Sequence, residues 1–203
     1  MIAIIDYGLG NLASVKNAFE VLGKECEITN DITKIRKADR LVLPGVGAFG
    51  SGMENLRRLN LIDVLNEEVV KNKKPFLGIC LGMQLVCKKG YEDGEFNGLG
   101  WIDGDVVGFN IGDGKLLVPH VGWNNVECNV NSLIFRGGNA QQTFYFVHSY
   151  YVQVKDKNIV VGWCDYGIPF PAAIQKDNIF AVQFHPEKSQ TEGLEILRKF
   201  SNI

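Results

Sequence analysis

The amino-acid sequence predicts an α/β fold: a central, mostly parallel sheet flanked by helices, with additional antiparallel strands in the second half. In the first half, short apolar runs alternate with segments whose apolar residues recur at helical spacing. This alternation is typical of βαβ units, whose strands are parallel. In the second half, β-rich segments follow one another closely and are separated by Gly, Asn and Asp, as in antiparallel sheets. At 203 residues the chain is long enough to form one domain, residues 1–203, with a substantial core.

Three apolar runs in the first half have the length and composition of buried parallel strands; they are residues 2–6, 41–44 and 75–79. After the first run, Asn11 is placed to cap a helix and Gly23 to end it. After the second run, residues 52–74 have helical spacing, with a break near Asn60. After the third run, residues 81–89 are predicted to be helical.

The second half is predicted to be a series of short strands separated by turn residues. Their sequences are DVVGF (105–109), WNNVE (123–127), TFYFVHSYYVQV (143–154), NIVVGWC (158–164), FPAAIQ (170–175) and IFAVQF (179–184). Residues 175–180 have the composition of a hairpin turn. The chain ends in a predicted amphipathic helix, residues 189–203, in which Leu194, Leu197 and Phe200 face the core.

Composition and charge exclude several classes of function. The net charge of −2 gives no general attraction to nucleic acid or to an anionic membrane. No apolar run approaches the roughly 20 residues that cross a bilayer, and the N-terminus lacks the basic segment of a signal peptide. The five cysteines are scattered and show no C-x-x-C spacing, so we expect free thiols, no metal site and a cytoplasmic location; they are Cys26, Cys80, Cys87, Cys128 and Cys164.

Cys80 lies in the frame PFLGICLGMQ (75–84), between Gly78 and Gly82. A nucleophile held between glycines on a sharp strand-to-helix turn is the cysteine version of the nucleophile elbow. The helix that begins here would favour a thiolate, and the Leu81 amide would point towards a developing oxyanion. On this motif alone, a buried core cysteine flanked by packing glycines remains an equal alternative.

A cysteine nucleophile needs a base, and the sequence AVQFHPEKS offers His185. Pro186 favours an extended course, in which residues two apart point to the same side, so Glu187 is able to orient the imidazole. The alternative is a loop histidine beside a surface glutamate. His148, in a predicted strand, is a further base candidate, although a place in a pocket wall suits it better.

A second donor for an oxyanion is expected from the glycine-rich loop 43–53, which follows a predicted strand. Its glycines permit unusual backbone angles, and the amides around Val46 and Gly47 are the candidates. The alternative is an ordinary strand-to-helix turn.

Taken together, these motifs resemble the class I (triad) glutamine amidotransferases, which combine PGVG, GICLGMQ and HPE in this order. More narrowly, the chain resembles the glutaminase subunits of imidazole glycerol phosphate synthase. The narrower resemblance extends over nearly the whole chain. It rests on DYGLGNLASVKNA (6–18), LPGVGAFG (43–50), LGICLGMQL (77–85), GLGWIDGDVVGF (98–109), VPHVGWN (118–124), YFVHSYYV (145–152) and FHPEKSQTEGL (184–194).

The resemblance implies a role for each matching residue. Cys80 attacks the side-chain amide of L-glutamine, His185 acts as base and then as acid, and Glu187 orients His185. The implied oxyanion hole consists of Val46, Gly47 and Leu81. The implied glutamine-binding residues are Gln84, Glu92, Ser149 and Tyr150. No metal or organic cofactor is implied.

The resemblance also implies a partner. Ammonia would pass to a (β/α)8-barrel cyclase, in a heterodimer that makes imidazole glycerol phosphate and AICAR in histidine biosynthesis. The implied interface residues are His120, Trp123, Asn124 and Lys188. The alternatives are that Trp123 belongs to the core and that His120 is a loop histidine whose hydrogen bonds are internal. The family's free subunit is nearly idle, and the PGVG strand is the element expected to gate it.

Two other functions remain open on the sequence. One is a paralogous glutaminase that supplies ammonia to a sugar amidotransferase in surface-polysaccharide or nonulosonic-acid synthesis. The segment CKKGYEDGEF (87–96), which departs from the family pattern, favours this reading and leaves the assignment of Glu92 open. The other is a cysteine hydrolase, or a non-catalytic α/β binding module, with a similar turn at Cys80. The sequence does not identify the final acceptor of the ammonia.

Overall fold

A computed structural model describes residues 1–110 and 116–203. The first half alternates strands with helices, as the sequence predicts. Its elements are β1 (Ile2–Ile5), α1 (Leu12–Val21), β2 (Cys26–Thr29), α2 (Ile32–Lys37), β3 (Arg40–Gly45), α3 (Phe49–Arg58), α4 (Leu61–Leu65), a π-helical turn (Asn66–Lys71), β4 (Phe76–Cys80) and α5 (Leu81–Leu85).

The second half consists mainly of strands and ends in a helix. Its elements are β5 (Cys87–Gly90), β6 (Phe96–Asn97), β7 (Ile102–Gly108), β8 (His120–Cys128), β9 (Gln141–His148), β10 (Tyr150–Val154), a 3₁₀ turn (Lys157–Ile159), β11 (Val160–Asp165), β12 (Pro169–Lys176), β13 (Ile179–Val182), a second 3₁₀ turn (Pro186–Lys188) and α6 (Gln190–Phe200).

The described residues form two sheets. The larger has nine strands in the order β2-β1-β3-β4-β13-β12-β11-β8-β9. The first five strands in this order, β2, β1, β3, β4 and β13, pair in parallel. The remaining strands, β12, β11, β8 and β9, continue the sheet with antiparallel pairing. A smaller sheet has the order β10-β7-β5-β6. The predicted fold class, a largely parallel sheet extended by antiparallel strands, is confirmed.

Apolar side chains fill both faces of the large sheet, because successive residues of a strand point to opposite sides. Ile4 of β1 packs in the same cluster as Phe19 and Phe200, whereas Ile5 packs in the cluster that contains Leu56 and Leu65. The expected inward face of α6 is present: Leu197 and Phe200 are buried, and Leu194 packs against the core while partly exposed.

The predicted helix boundaries in the first half are largely correct. Asn11 Oδ1 accepts a hydrogen bond from the Ser14 amide at 3.4 Å, so Asn11 caps α1. Gly23 follows the end of α1 with a φ of +69°. Asn60 has a left-handed backbone, with a φ of +54°, and separates α3 from α4 at the predicted break.

The prediction of a helix over residues 81–89 is wrong. The helix ends at Leu85, and the next residues form strand β5, whose Lys89 pairs with Asp105 of β7. Pairing with a distant strand outweighs the local helical spacing here. The sequence reading also missed β2 and α2, and it treated 143–154 as one strand where the chain changes sheets at Ser149.

Candidate active site

The site lies at the carboxyl edge of the parallel strands, where open α/β sheets place their ligands. Gly45 at the end of β3 is the register partner of Cys80 at the end of β4. On the other side of β4, Ile79 is paired with Val182 of β13. The segments that follow these three strands therefore leave the sheet at the same level.

Cys80 occupies the sharp strand-to-helix turn that the sequence predicts. Its backbone has a φ of +53° and a ψ of −106°, a strained conformation for a residue other than glycine. The flanking glycines allow the chain to fold back on itself. A Cβ on Gly78 would lie 2.6 Å from the Gly82 carbonyl oxygen, and a Cβ on Gly82 would lie 1.8 Å from that of Leu43. Neither position has room for a side chain.

The Cys80 sulfur is buried beside two polar groups. The Gln183 side-chain amide donates a hydrogen bond to it at 3.7 Å. The Val147 carbonyl oxygen lies 4.0 Å away, in position to accept from the thiol.

His185 and Glu187 form a buried pair, and each side chain is 2% exposed. His185 Nδ1 lies 2.8 Å from Glu187 Oε1. Because a carboxylate accepts hydrogen bonds, Nδ1 carries a proton and Nε2 is left for chemistry. The contact forms across a 3₁₀ turn, Pro186–Lys188, so the expectation of an extended course after His185 is wrong.

Protonated His185 is favoured by its neighbours. Burial by itself lowers the pKa of His185, but hydrogen bonding and charge interactions with Cys80 and Glu187 outweigh it and raise the pKa to about 10. The His185 ring lies close enough to the Cys80 sulfur for this interaction. In the resting structure, however, His185 Nε2 makes no hydrogen bond of good geometry. At neutral pH the imidazole of His185 is therefore protonated.

A cavity of about 360 Å³ opens in front of Cys80, a size that suits a small polar ligand. All the sequence-predicted oxyanion and glutamine-binding residues line it: Val46, Gly47, Leu81, Gln84, Glu92, Ser149 and Tyr150. His148 and Pro119 also contribute to the wall. A second cavity, of about 580 Å³, lies beyond Ala48 and Glu92 and does not include Cys80.

Gln84 is held in one orientation. Its Nε2 donates to the Tyr150 carbonyl oxygen at 3.0 Å and to Gln183 Oε1 at 3.2 Å. Both amide hydrogens are thus used within the protein. The remaining polar atom, Oε1, is an acceptor and suits an ammonium group of a ligand.

Glu92 both accepts a hydrogen bond at the start of α3 and lines the cavity. One carboxylate oxygen accepts from the Phe49 amide at 2.8 Å, at the start of α3, where Ala48 supplies no side-chain cap. The residue also lines the cavity. Burial and then the charge of Glu92 raise the pKa of Tyr150. Glu92 therefore provides negative charge at the cavity wall.

His148 has no free nitrogen for base catalysis. Its Nδ1 lies 2.8 Å from the Tyr150 carbonyl oxygen, and its Nε2 lies 3.0 Å from His120 Nδ1. Burial lowers the pKa of His120 to about 4, and burial with the nearby histidine charges lowers that of His148 to about 3. Both rings are neutral, and each donates from Nδ1. His120 Nε2 accepts from Asn124 Nδ2 at 3.3 Å.

The sequence-predicted interface residues occupy different environments. Trp123 is 49% exposed and Lys188 is exposed, whereas His120 is only 2% exposed. Trp123 packs edge-on against Tyr145 at 6.0 Å, and Lys188 Nζ lies 5.8 Å from the same ring. We call Trp123, Tyr145 and Lys188, which are exposed or partly exposed, the Trp123 patch. The patch adjoins the His185–Glu187 pair, because the His185 amide donates to the Tyr145 carbonyl oxygen at 2.9 Å.

Sequence reasoning missed two buried residues near Cys80. The Tyr7 hydroxyl is buried without a hydrogen-bond partner, and burial followed by the charge of Cys80 raises the pKa of this phenol. Gln183 contacts the sulfur directly. The signal for Gln183 was the presence of a polar residue in the apolar run before His185.

Within residues 1–110 and 116–203, no group of three or more His, Cys, Asp or Glu side chains is placed to hold a metal ion. None of the helices there has the length and apolar character needed to cross a membrane.

Known proteins share both the sequence and the fold. The family model for class-I glutamine amidotransferases matches residues 3–202. Imidazole glycerol phosphate synthase subunit HisH 1 of Campylobacter jejuni is 50% identical over 203 residues, covering 100% of both chains. Subunit HisH 2 of Pseudomonas aeruginosa is 46% identical over 203 residues, again covering 100% of both. A crystal structure of a glutamine amidotransferase superposes with a TM-score of 0.78 at 18% identity, covering 100% of each chain. The chain therefore belongs to the class-I glutamine amidotransferase family.

Proposed function

We propose that this chain is the glutaminase subunit of an imidazole glycerol phosphate synthase. The observation that carries the proposal is the placement of Cys80 in the wall of a cavity and beside the buried His185–Glu187 pair. The full-length identity to subunits of that enzyme supports the choice within the family. The compartment we propose is the cytoplasm.

In the first half of the reaction, the Cys80 thiolate attacks the side-chain amide carbon of L-glutamine. The carbonyl oxygen becomes an oxyanion, which the amides of Leu81 and Gly47 stabilise. The tetrahedral intermediate then collapses, and the bond from carbon to nitrogen breaks. His185 Nε2 gives its proton to the departing nitrogen, so that ammonia leaves and a glutamyl thioester remains on Cys80.

In the second half, water hydrolyses the thioester. His185, now neutral, takes a proton from the water as it attacks the thioester carbon. Collapse of the second tetrahedral intermediate breaks the carbon–sulfur bond. Glutamate leaves, and the thiolate and imidazolium are restored. Glu187 keeps the ring oriented through both halves, because its bond to Nδ1 leaves Nε2 as the working nitrogen.

Substrate recognition is assigned to groups of suitable charge. Gln84 Oε1 and the Glu92 carboxylate would accept from the α-ammonium of glutamine. The backbone at Ser149 and Tyr150 would receive the α-carboxylate. This arrangement favours a zwitterionic amino acid over a simple amide, since both ends of the backbone find partners of opposite polarity.

The partner we propose is a (β/α)8-barrel cyclase that receives the ammonia in a heterodimer. The Trp123 patch is its docking site, with Asn124 beside it. Val121, an exposed apolar residue two positions before Trp123 in β8, lies on the same face of the strand. Large aromatic anchors such as Trp123 dominate the energetics of many interfaces. His120 contributes through its hydrogen bond with Asn124 rather than by direct contact, because it is buried.

Complementation of a histidine auxotroph tests this assignment. A strain that lacks its own glutaminase and cyclase subunits would receive this chain together with the cyclase from the same genome. We expect growth without histidine, and no growth with the matched Cys80→Ala variant. If the pair hydrolyses glutamine in vitro but does not restore growth, the ammonia acceptor is a different one, and the sugar-amidating alternative takes its place.

A further inference from the structure

Gln183 is a buried polar residue with no assigned role. Its side chain is 0% exposed, and its neighbours Val182 and Phe184 are buried apolar residues. Burying an amide costs free energy unless its polar atoms are hydrogen-bonded. A role in packing alone would favour an apolar side chain at this position, so the partners of the amide indicate what it does.

The orientation of the Gln183 amide is fixed by Gln84. Gln84 Nε2 donates to the oxygen of Gln183 at 3.2 Å, which identifies that atom as Oε1. The amide nitrogen of Gln183 therefore faces the opposite way, and it donates to Cys80 Sγ at 3.7 Å. Sulfur is a weak acceptor as a thiol, and a hydrogen bond gains strength when the acceptor carries a charge.

The sulfur thus receives two different kinds of support. His185 supplies positive charge, as its raised pKa shows. Gln183 supplies a neutral hydrogen-bond donor that does not lose its proton at any pH of interest. In the resting structure, the Gln183 amide donates a hydrogen bond to the sulfur with acceptable geometry.

We propose that Gln183 is a positioning residue that holds Cys80 as a thiolate and connects it to Gln84 in the cavity wall. The inference rests on the proposed function, because it concerns the nucleophile of that reaction. Gln183 transfers no proton and forms no covalent bond. Its hydrogen bond is strong while sulfur is charged, weak in the thioester, and strong again as the thiolate leaves. It therefore favours both the attacking and the departing form of the sulfur.

Alkylation of Cys80 by iodoacetamide across a range of pH tests this role independently of glutamine hydrolysis. The full chain is treated briefly, and the modified Cys80 peptide is quantified by mass spectrometry. In Gln183→Met, which keeps the size but removes the donor, we expect the midpoint of the alkylation profile to rise by about 1–2 pH units. We expect kcat for glutamine in the cyclase complex to fall by about 10–100-fold at neutral pH, with KM within about threefold.

Gln142→Met is the matched control. Gln142 is also a buried glutamine, but its amide donates to the Asn139 carbonyl oxygen at 2.9 Å. The same loss of an amide there should leave the alkylation midpoint of Cys80 unchanged. If Gln183→Met does not fold, Gln183→Glu keeps the shape and the acceptor for Gln84, and when ionised it offers no donor. It should raise the midpoint at least as far.

An unchanged alkylation midpoint in the Gln183 variants would overturn the proposed role. A different result would contradict the proposed function: an unmodified complex that does not hydrolyse glutamine. The alkylation profiles still decide the role of Gln183 in that case, because they need neither substrate nor partner.

Discussion

Gly45 and Cys80 are register partners at the carboxyl ends of two adjacent parallel strands. The loop that follows Gly45 carries Val46 and Gly47, and both of these line the cavity with Cys80. The pairing of β3 with β4 therefore places Cys80, the proposed nucleophile, next to the loop that carries the proposed second oxyanion donor. The relative position of Cys80 and this loop is thus set by the register of β3 and β4.

The strained backbone at Cys80 predicts an unusual order of stability among variants. Left-handed φ values cost a residue with a Cβ about 1–2 kcal/mol, while glycine in the unfolded chain costs about 0.5–1 kcal/mol more than alanine. Cys80→Gly should therefore be more stable than Cys80→Ala, with a free energy of unfolding about 1 kcal/mol higher. Urea denaturation measures the difference. At Ile79, in regular strand, the order should be reversed.

The close approach at Gly82 predicts a severe loss of stability. A Cβ there would lie 1.8 Å from the Leu43 carbonyl oxygen, so β3 and α5 must separate. Gly82→Ala should lower the free energy of unfolding by more than about 3 kcal/mol. Gly23→Ala, where a Cβ meets open space but φ is +69°, should cost only about 1–2 kcal/mol. Equal losses in the two variants would argue against the close approach.

The raised pKa of His185 predicts the alkaline limit of catalysis. As pH rises through the folded-state value of about 10, the imidazolium loses the proton that the departing ammonia needs, so kcat should fall with that midpoint. In Glu187→Gln the supporting charge is gone, and the fall should begin at lower pH. The quantity to measure is kcat of the complex, because the α-ammonium of free glutamine also titrates at alkaline pH. A midpoint near the ordinary 6.5 would be inconsistent with this account.

The Trp123 patch predicts a local loss of partner binding. Trp123→Ala should weaken the complex with the cyclase by at least about 2 kcal/mol, roughly 30-fold in Kd, because a large aromatic anchor is removed. Its free energy of unfolding should change little, since Trp123 is half exposed. Titration calorimetry checks the first point and denaturation the second. Val70→Ala, which changes an exposed apolar residue in the π-helical turn Asn66–Lys71, serves as the control and should bind normally.

Much of the fold follows from local patterns. The buried runs that became β1, β3 and β4, the cap at Asn11 and the break at Asn60 all depend on chemistry within a few residues. The short strand β5 does not, because its pairing with β7 is decided by the packing of distant segments. A helix prediction based on spacing alone fails at such positions.

The candidate site divides in the same way. Cys80, His185 and Glu187 stand in motifs whose residue types suit one chemistry, and the structure brings them to one place. Gln183 stands in the same segment as His185, but the role of its amide depends on contacts with Gln84 and Cys80, which are distant in the sequence. The burial of His120 also depends on tertiary packing. It could not be predicted from the sequence, in which His120 stands among residues that are exposed in the structure.

Glutamine hydrolysis by the complex of this chain with its cyclase, before and after Cys80→Ala, tests the central claim most directly. The account predicts that kcat falls by at least about 10⁴-fold, because no thioester forms without the sulfur. It also predicts that the variant still binds the cyclase, since Cys80 is buried whereas the Trp123 patch lies at the surface. A variant that retains glutaminase activity within about tenfold of the unmodified complex would contradict the assignment of Cys80 as nucleophile.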